Sequence, residues 1–181
     1  MKKLIVLLSL LSFSIGLFAQ SSSDNTLKFL GIPVDGPKSN MMTALKNKGF
    51  KYNTYKECFT GQFNGEESEI YIVDYNGKVN RVFVCDQLDR DEADIIIRFN
   101  SLLSQFRNNG KYIDLGDNKA IPSTENISYE ITVKHKRYEA DFCLKNNPNG
   151  VVWFTILENY GDYQIGIYYD NLLNQAHGED L

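Results

Sequence analysis

Apolar residues recur along this chain with two different periods, and each period predicts one kind of element. Spacings of three and four, as at Met41 and Leu45, predict a short helix that ends at Gly49. The same spacing predicts a second helix of about 20 residues, which begins at Asp89 and is capped near Gly110. Its apolar stripe consists of Ile95, Ile96, Phe99, Leu102, Leu103 and Phe106.

Between the two helices the period changes to two, which is typical of half-buried strands. Strands are predicted over residues 51–63, 68–74 and 79–85. The dipeptides Asn64-Gly65 and Asn76-Gly77 separate them, and Asn-Gly is the strongest two-residue hairpin signal. The sequence therefore predicts a three-stranded antiparallel meander directly after the first helix.

The alternation returns after the second helix and predicts four more strands, over residues 127–134, 137–144, 151–157 and 164–169. The segment Asn146–Gly150 is predicted to be a loop because Asn, Pro and Gly dominate it. The fold class predicted from this order is α+β, with two helices packed on one antiparallel sheet or on two linked ones.

A weak internal repeat accompanies this order of elements. Leu45–Gly49 and Phe106–Gly110 share an apolar, basic, Asn, any, Gly order at an offset of about 61 residues, and the same offset aligns Glu69–Val73 with Glu130–Lys134. A helix followed by a meander would then occur twice. Capping glycines and alternating strands recur in many α+β proteins, so a tandem repeat and chance remain equal alternatives.

Three cysteines lie in the predicted strands, namely Cys58, Cys85 and Cys143. If both Asn-Gly turns have two-residue loops, Cys58 faces Tyr71 and Tyr71 faces Val82. Cys85 then points to the opposite face from Cys58, which excludes a bridge between the two unless a bulge intervenes. Free buried thiols are the expected state, with one internal disulfide as the alternative.

The first 20 residues have the pattern of a secretory signal. Lys2 and Lys3 precede a short apolar run, and the small residue Ala19 precedes Gln20 at the expected cleavage position. An exported protein of the periplasm or the extracellular space is therefore predicted. No later segment approaches the roughly 20 apolar residues that span a bilayer.

The chain as a whole divides into three predicted parts. Residues 1–19 are the predicted signal peptide, residues 20–26 a polar lead-in, and residues 27–181 a single α+β domain. Within this domain, units 27–88 and 89–181 are an alternative subdivision. The formal charge is −4. An acidic balance argues against nucleic acid as a partner, because phosphate recognition needs clustered Lys and Arg.

Candidate chemistry is sparse. The two histidines, His135 at a predicted turn and His177 in the tail, are poorly placed to act as a rigid general base. An acidic cluster at the start of the second helix lacks the EF-hand order, and helix capping accounts for it; it comprises Asp86, Asp89, Asp91, Glu92 and Asp94. No cofactor, metal or catalytic residue is predicted, although a hydrolase based on paired carboxylates stays open.

The aromatic residues carry the remaining functional signal. The chain has 11 Tyr, 11 Phe and 1 Trp, and Tyr160, Tyr163, Tyr168 and Tyr169 cluster around the last predicted turn. Tyr is enriched at contact surfaces, but it also fills sheets. We expect a non-enzymatic interaction module for an unknown protein or envelope component. A binder of small ligands or glycans, with an aromatic cleft between the second helix and the sheet, is the first alternative, and the carboxylate hydrolase is the second.

Three segments resemble a group of small exported proteins from gut Bacteroidetes. They are Lys28–Gly36 before the first helix, Arg98–Tyr112 along the second, and the ending Asp170–Leu181. The resemblance implies export and gives no catalytic residues, because that group has no assigned activity. The predicted topology is more distantly similar to β-lactamase-inhibitor-like modules and small outer-membrane-assembly lipoproteins. Those folds bind proteins, but a shared topology does not establish a shared function.

Overall fold

The computed structural model describes residues 25–175, in which strands and helices alternate in two similar halves. The strands are β1 (Lys28–Phe29), β2 (Ile32–Pro33), β3 (Lys51–Asn53), β4 (Cys58–Phe63), β5 (Glu66–Tyr75), β6 (Lys78–Asp86), β7 (Tyr112–Asp114), β8 (Glu139–Leu144), β9 (Asn147–Asn159) and β10 (Asp162–Asn171). The helices are α1 (Lys38–Asn47), α2 (Glu92–Asn108) and α3 (Ile127–Thr132), with a 3₁₀ turn at Leu172–Asn174.

Eight of the strands form one continuous antiparallel sheet in the order β3-β4-β5-β6-β10-β9-β8-β7, while β1 and β2 form a separate hairpin. The predicted α+β class with antiparallel sheets is confirmed. Each half consists of a helix followed by four strands, α1 with β3 to β6 and α2 with β7 to β10. Pairing of β6 with β10 joins the two halves, so of the two predicted arrangements, one sheet or two linked ones, the structure has one continuous eight-stranded sheet.

Both predicted Asn-Gly hairpins are confirmed. Asn64 and Gly65 have φ values of 52° and 83°, and Asn76 and Gly77 have values of 49° and 76°. Two consecutive residues with positive φ make the type I′ turn, whose twist matches that of the flanking strands. The sequence alone therefore specified both turns.

A bulge in β6 changes which side chains share a face of the sheet. The register runs from Asp74 opposite Val79 to Val73 opposite Arg81, so Asn80 is the extra residue. Tyr71 consequently faces Phe83, and the predicted pairing of Tyr71 with Val82 is wrong.

The bulge also corrects the prediction that Cys58 and Cys85 point to opposite faces. Both point to the same face, but β5 lies between their strands. Two strand spacings amount to about 9.6 Å, which exceeds the roughly 7 Å that a disulfide spans between Cα atoms. All three cysteines, Cys58, Cys85 and Cys143, are free.

A third helix stands where the sequence predicted a strand over Ile127–Lys134. The Asn126 side chain accepts a hydrogen bond from the Tyr129 amide at 2.8 Å and so caps α3. Ile127 is fully buried, and Ile131, one helical turn later, packs against the core. Ile127 and Ile131 are four residues apart, and residues four apart lie on one face of a helix as well as on one face of a strand. The apolar pattern is therefore compatible with both structures.

Two boundaries differ from their predicted positions. The side chain of Asp91, not that of Asp89, caps α2 and accepts a hydrogen bond from the Asp94 amide at 2.9 Å. The predicted loop Asn146–Gly150 lies mostly within β9, which pairs Gly150 with Asn171 of β10.

The helices and the N-terminal hairpin cover one face of the sheet. Between α2 and the sheet, Phe99, Phe106, Phe142 and Phe154 pack against one another, with ring centroids 5.0 to 6.3 Å apart. Phe29 of β1 contacts Phe63 and Tyr169 and closes the core at its end. This packing leaves the opposite face of the sheet uncovered by any described element.

A buried ionic network fixes the start of α2 on the sheet. Arg98 holds the carboxylate of Asp86 through two hydrogen bonds of 2.9 and 3.3 Å. Arg90 lies 3.4 Å from Asp86 and 2.9 Å from Glu66. Two cations therefore neutralise two carboxylates, which burial requires if the charges are to be tolerated.

The predicted signal segment and its cleavage position at Ala19 and Gln20 lie outside the described residues, as does His177. Within residues 25–175, no helix is both long and apolar enough to cross a bilayer.

Candidate interaction surface

The uncovered side of the sheet, here called the open face, is defined by the alternation of its strands. On β5, Ile70 and Ile72 point into the core, while Glu69, Tyr71 and Val73 point away from it. The other strands alternate in the same way, because successive side chains of a strand leave on opposite sides. The residues of the open face are therefore a different set from those that form the core.

Four aromatic side chains cross the middle of the open face in a single row. Tyr71, Phe83, Tyr168 and Trp153 lie on the neighbouring strands β5, β6, β10 and β9, in register with one another. Their ring centroids are 5.6, 4.6 and 3.8 Å apart along the row, and each neighbouring pair is stacked. This aromatic row spans about 14 Å of the sheet, at roughly 4.8 Å per strand.

The stacking decides which parts of the rings a partner meets. Phe83 and Tyr168 have a ring on each side, so both of their faces are covered within the row. Their edges point outward, and all four rings remain partly exposed. The row thus presents ring edges, which carry partial positive charge, and the hydroxyl groups of its two tyrosines.

An ion pair flanks one side of the aromatic row. Arg81 donates two hydrogen bonds to Asp170, at 2.6 and 2.8 Å, and Trp153 Nε1 donates a third at 2.9 Å. The guanidinium also lies 5.3 Å from the centroid of the Tyr168 ring, within the range of a cation–π contact. Asp170 is buried and fully satisfied, so it holds Arg81 and Trp153 in place.

A second ion pair flanks the other side. Glu69 accepts hydrogen bonds from Lys56 at 2.5 Å and from the Tyr71 hydroxyl at 2.6 Å. Burial opposes ionisation of Glu69, but these hydrogen bonds outweigh it and lower the pKa of this carboxyl from its usual 4.5. Both ends of the aromatic row are thus tied by a hydrogen bond to a carboxylate that also pairs with a cation.

A polar depression of about 410 Å³ lies beside the row, towards the sheet end that carries the β4–β5 and β9–β10 turns. Its lining comprises Lys56, Glu69, Cys85, Asp86, Gln87 and Gln164. Burial, together with nearby carboxylates, raises the pKa of Cys85 to about 11. The thiol is therefore protonated near neutral pH and is a poor nucleophile.

The structure separates the four tyrosines that the sequence grouped together. Tyr168 lies in the middle of the aromatic row, and Tyr160 is fully exposed at the tip of the β9–β10 turn. Tyr163 and Tyr169 point to the helix side and are buried, with 2% and 8% of their surface exposed. The four side chains therefore form no common surface.

The residues that sequence reasoning missed are Tyr71, Phe83 and Trp153, together with the Arg81–Asp170 pair. Strand alternation was a usable signal, because Tyr168 and Tyr169 are adjacent and must point to opposite faces. The pairing of β6 with β10 had no comparable local signal. Without that pairing, the two halves of the row could not be joined.

Two members of the acidic cluster around the start of α2 have structural roles. Asp86 is held by Arg98 and Arg90, and Asp91 caps the helix. In the described part of the chain, no three His, Cys, Asp or Glu side chains are grouped in a way that could hold a metal ion. His135 is exposed after α3, in a left-handed backbone conformation with φ of 54°.

Comparison with known proteins gives no relative from which a function could be carried over. No protein-family model matches the chain, and no curated protein or solved structure matches it. The functional argument therefore depends on the chemistry of the open face.

Proposed function

We propose that this protein is an exported, non-enzymatic interaction module that binds another protein through the open face of its sheet. The observation that carries the proposal is the aromatic row of Tyr71, Phe83, Tyr168 and Trp153. Trp, Tyr and Arg are the residue types most enriched in interface hot spots, and Arg81 stands beside the row.

The surroundings of the row support a preorganised binding surface. Arg81 and Trp153 are held by Asp170, and Tyr71 is held by Glu69. Side chains that are already ordered lose little conformational entropy when a partner binds. The two flanking ion pairs also neutralise their own charges, so a partner that covers them meets no unpaired buried charge.

The same geometry favours a protein over a glycan or a small ligand. A sugar ring packs flat on a free aromatic face, whereas both faces of Phe83 and Tyr168 are already covered by neighbouring rings. The cleft expected between α2 and the sheet is filled by the protein's own phenylalanines, including Phe99 and Phe154. The exposed ring edges can instead contact the side chains and backbone of a protein partner across the width of the sheet.

The carboxylate hydrolase has weaker support. Such an enzyme needs one carboxyl that donates a proton and a second that acts from across a cleft. Both acids that line the depression are paired elsewhere, Asp86 with two guanidinium groups and Glu69 with Lys56. Neither carboxylate is presented to a substrate.

Site-specific photo-crosslinking tests the proposal. A photoreactive amino acid replaces Val73, which is 43% exposed on the open face beside the row. The matched control replaces Ile97, which is 66% exposed on α2, on the other side of the molecule. Each variant is expressed in its natural host, irradiated and analysed by mass spectrometry.

We expect the Val73 variant to form a crosslink to a defined protein that the Ile97 variant does not form. Adding Tyr168→Ala to the Val73 variant should remove this crosslink, because it deletes the centre of the row. Equal crosslinking from both positions, or crosslinking that survives Tyr168→Ala, would contradict the proposal.

A further inference from the structure

One exposed carboxylate at the end of the open face is held by two hydrogen bonds but has no cationic partner among the residues that the structure describes. Asp89 Oδ1 accepts hydrogen bonds from Asn159 Nδ2 at 2.9 Å and from Gln164 Nε2 at 2.8 Å. Gln164 is itself oriented, because its Oε1 lies 3.3 Å from the Cys85 thiol. Both donors use the same oxygen, and no described residue donates to Asp89 Oδ2.

Further acids surround Asp89 at this end of the sheet. Exposed carboxylates stand on the β4–β5 turn and on the β9–β10 turn, which the topology brings to the same edge. We call the set Glu67, Asp89, Glu158 and Asp162 the acidic rim. None of its members has a Lys, Arg or His partner within 4 Å among residues 25–175.

The depression connects the acidic rim to the aromatic row. Gln164 lines the depression and donates a hydrogen bond to Asp89. Cys85 also lines the depression, and it lies two residues after Phe83 on β6, on the same face of the sheet. Leu157 stands opposite Gln164 on β9, on the same face of the sheet. The cation inside the depression, Lys56, is neutralised by Glu69. A long cationic side chain that enters this polar depression would meet Gln164 and, beyond it, the free oxygen of Asp89.

We propose that the protein partner of the open face carries a Lys or Arg that occupies this depression and pairs with Asp89. Apolar side chains next to that residue in the partner would then pack on the aromatic row. The inference rests on the proposed function, since it names the chemistry of the partner that the same face binds.

Charge complementarity selects this occupant over a second copy of the chain. The protein has a formal charge of −4. Two acidic rims brought together would repel each other, whereas a basic segment is attracted to the rim. A lysine or arginine also suits the chemistry of the site. Its cationic head can donate to the free oxygen of Asp89, and the one cation that lines the depression, Lys56, is already paired with Glu69.

Selection from a displayed peptide library tests the inference. Peptides are selected on the full chain and counter-selected on the Tyr168→Ala variant, so that the survivors depend on the aromatic row. Their affinities are then measured by calorimetry for the wild type and for Asp89→Asn. The control is Asp117→Asn, which changes the net charge equally at a 99% exposed side chain in the loop after β7.

We expect the surviving peptides to carry Lys or Arg next to aromatic or aliphatic residues. Asp89→Asn should weaken their binding at least about tenfold, because a charge-assisted hydrogen bond is lost. Asp117→Asn should change binding less than about twofold, because exposed charges at this distance are screened by salt.

Two results would overturn the inference in different ways. Peptides that depend on Tyr168 but bind Asp89→Asn as well as the wild type would refute the basic partner and leave the proposed function standing. If no peptide depends on Tyr168, both fail. Melting temperatures of all variants establish that each one is folded.

Discussion

Trp153 and Tyr168 lie face to face on neighbouring strands, with ring centroids 3.8 Å apart and ring planes 4° from parallel. Their strands, β9 and β10, belong to one hairpin, whereas Phe83 and Tyr71 come from the other half of the chain. The pair therefore forms the part of the row to which the second half of the protein contributes. It becomes a four-ring surface only because β6 pairs with β10.

The Asp170 carboxylate should be essential to the order of this surface. Asp170→Asn places an amide donor against donors from Arg81 and Trp153, so at least one of the three present hydrogen bonds loses its acceptor. We expect a loss of about 1–3 kcal/mol in the free energy of unfolding, measured by chemical denaturation. The near-ultraviolet circular dichroism of Trp153, the single tryptophan, should weaken as well. The exposed acid Asp162 provides the control, and Asp162→Asn should leave both measurements unchanged.

Any side chain at Gly166 should destabilise the fold, although the backbone conformation at this position suits any amino acid. A Cβ at this position would lie 2.9 Å from Leu157 Cδ1 and 3.0 Å from Phe83 Cε2. We therefore expect Gly166→Ala to cost about 1–3 kcal/mol in the free energy of unfolding. Gly110→Ala is the matched control, because a Cβ there meets no atom within 4 Å.

A double-mutant cycle identifies the cause of this cost. In a Leu157→Ala background the added methyl group has more room, so Gly166→Ala should cost at least about 0.5 kcal/mol less than in the wild type. Strictly additive effects would show that the clash with Leu157 is not responsible.

The Lys56–Glu69–Tyr71 cluster should make the folded protein less stable as the pH falls into the acid range. The pKa of Glu69 is lowered in the folded protein, from 4.5, by hydrogen bonds that outweigh burial. Its ionised form therefore contributes stability that is fully present above pH 4.5 and is lost as the pH falls through the lower folded pKa. Glu69→Gln should be less stable than the wild type at pH 7, and this difference should shrink in acid.

The comparison between wild type and Glu69→Gln is measured by denaturation from pH 7 to pH 3. A difference that stays constant over this range would contradict ionisation of Glu69 as the source of the effect.

All three cysteines should be found as thiols, even under oxidising conditions. Cys58 and Cys143 are buried, and burial with nearby carboxylates raises the pKa of Cys85 to about 11. Three thiols should therefore react with a thiol-specific dye in denaturant, while the native protein should react slowly at pH 7.5. Ser101→Cys, at an exposed position of α2, serves as the reactive control. Recovery of a single reactive thiol from the unfolded, unreduced protein would indicate a disulfide and contradict the strand order.

Local patterns were sufficient for elements whose cause is local. Both Asn-Gly turns, α1 with its end at Gly49, and α2 with its apolar stripe follow from residues within one turn or one helix. The prediction failed at α3 because apolar residues four apart also satisfy a strand. Only the burial of Ile127 and the cap at Asn126 distinguish the two structures.

The sequence by itself determined the class of the fold, its antiparallel hairpins and the abundance of aromatic residues. The tertiary structure decided which of those aromatic residues meet on the open face. A single bulge at Asn80 reverses the face of every later residue of β6, including Phe83 and Cys85, and strand periodicity cannot reveal one extra residue. The contact between β6 and β10 joins segments about 80 residues apart, and such pairing depends on the whole chain. For that reason Tyr168 joined the aromatic row, while Tyr163 and Tyr169 became part of the core.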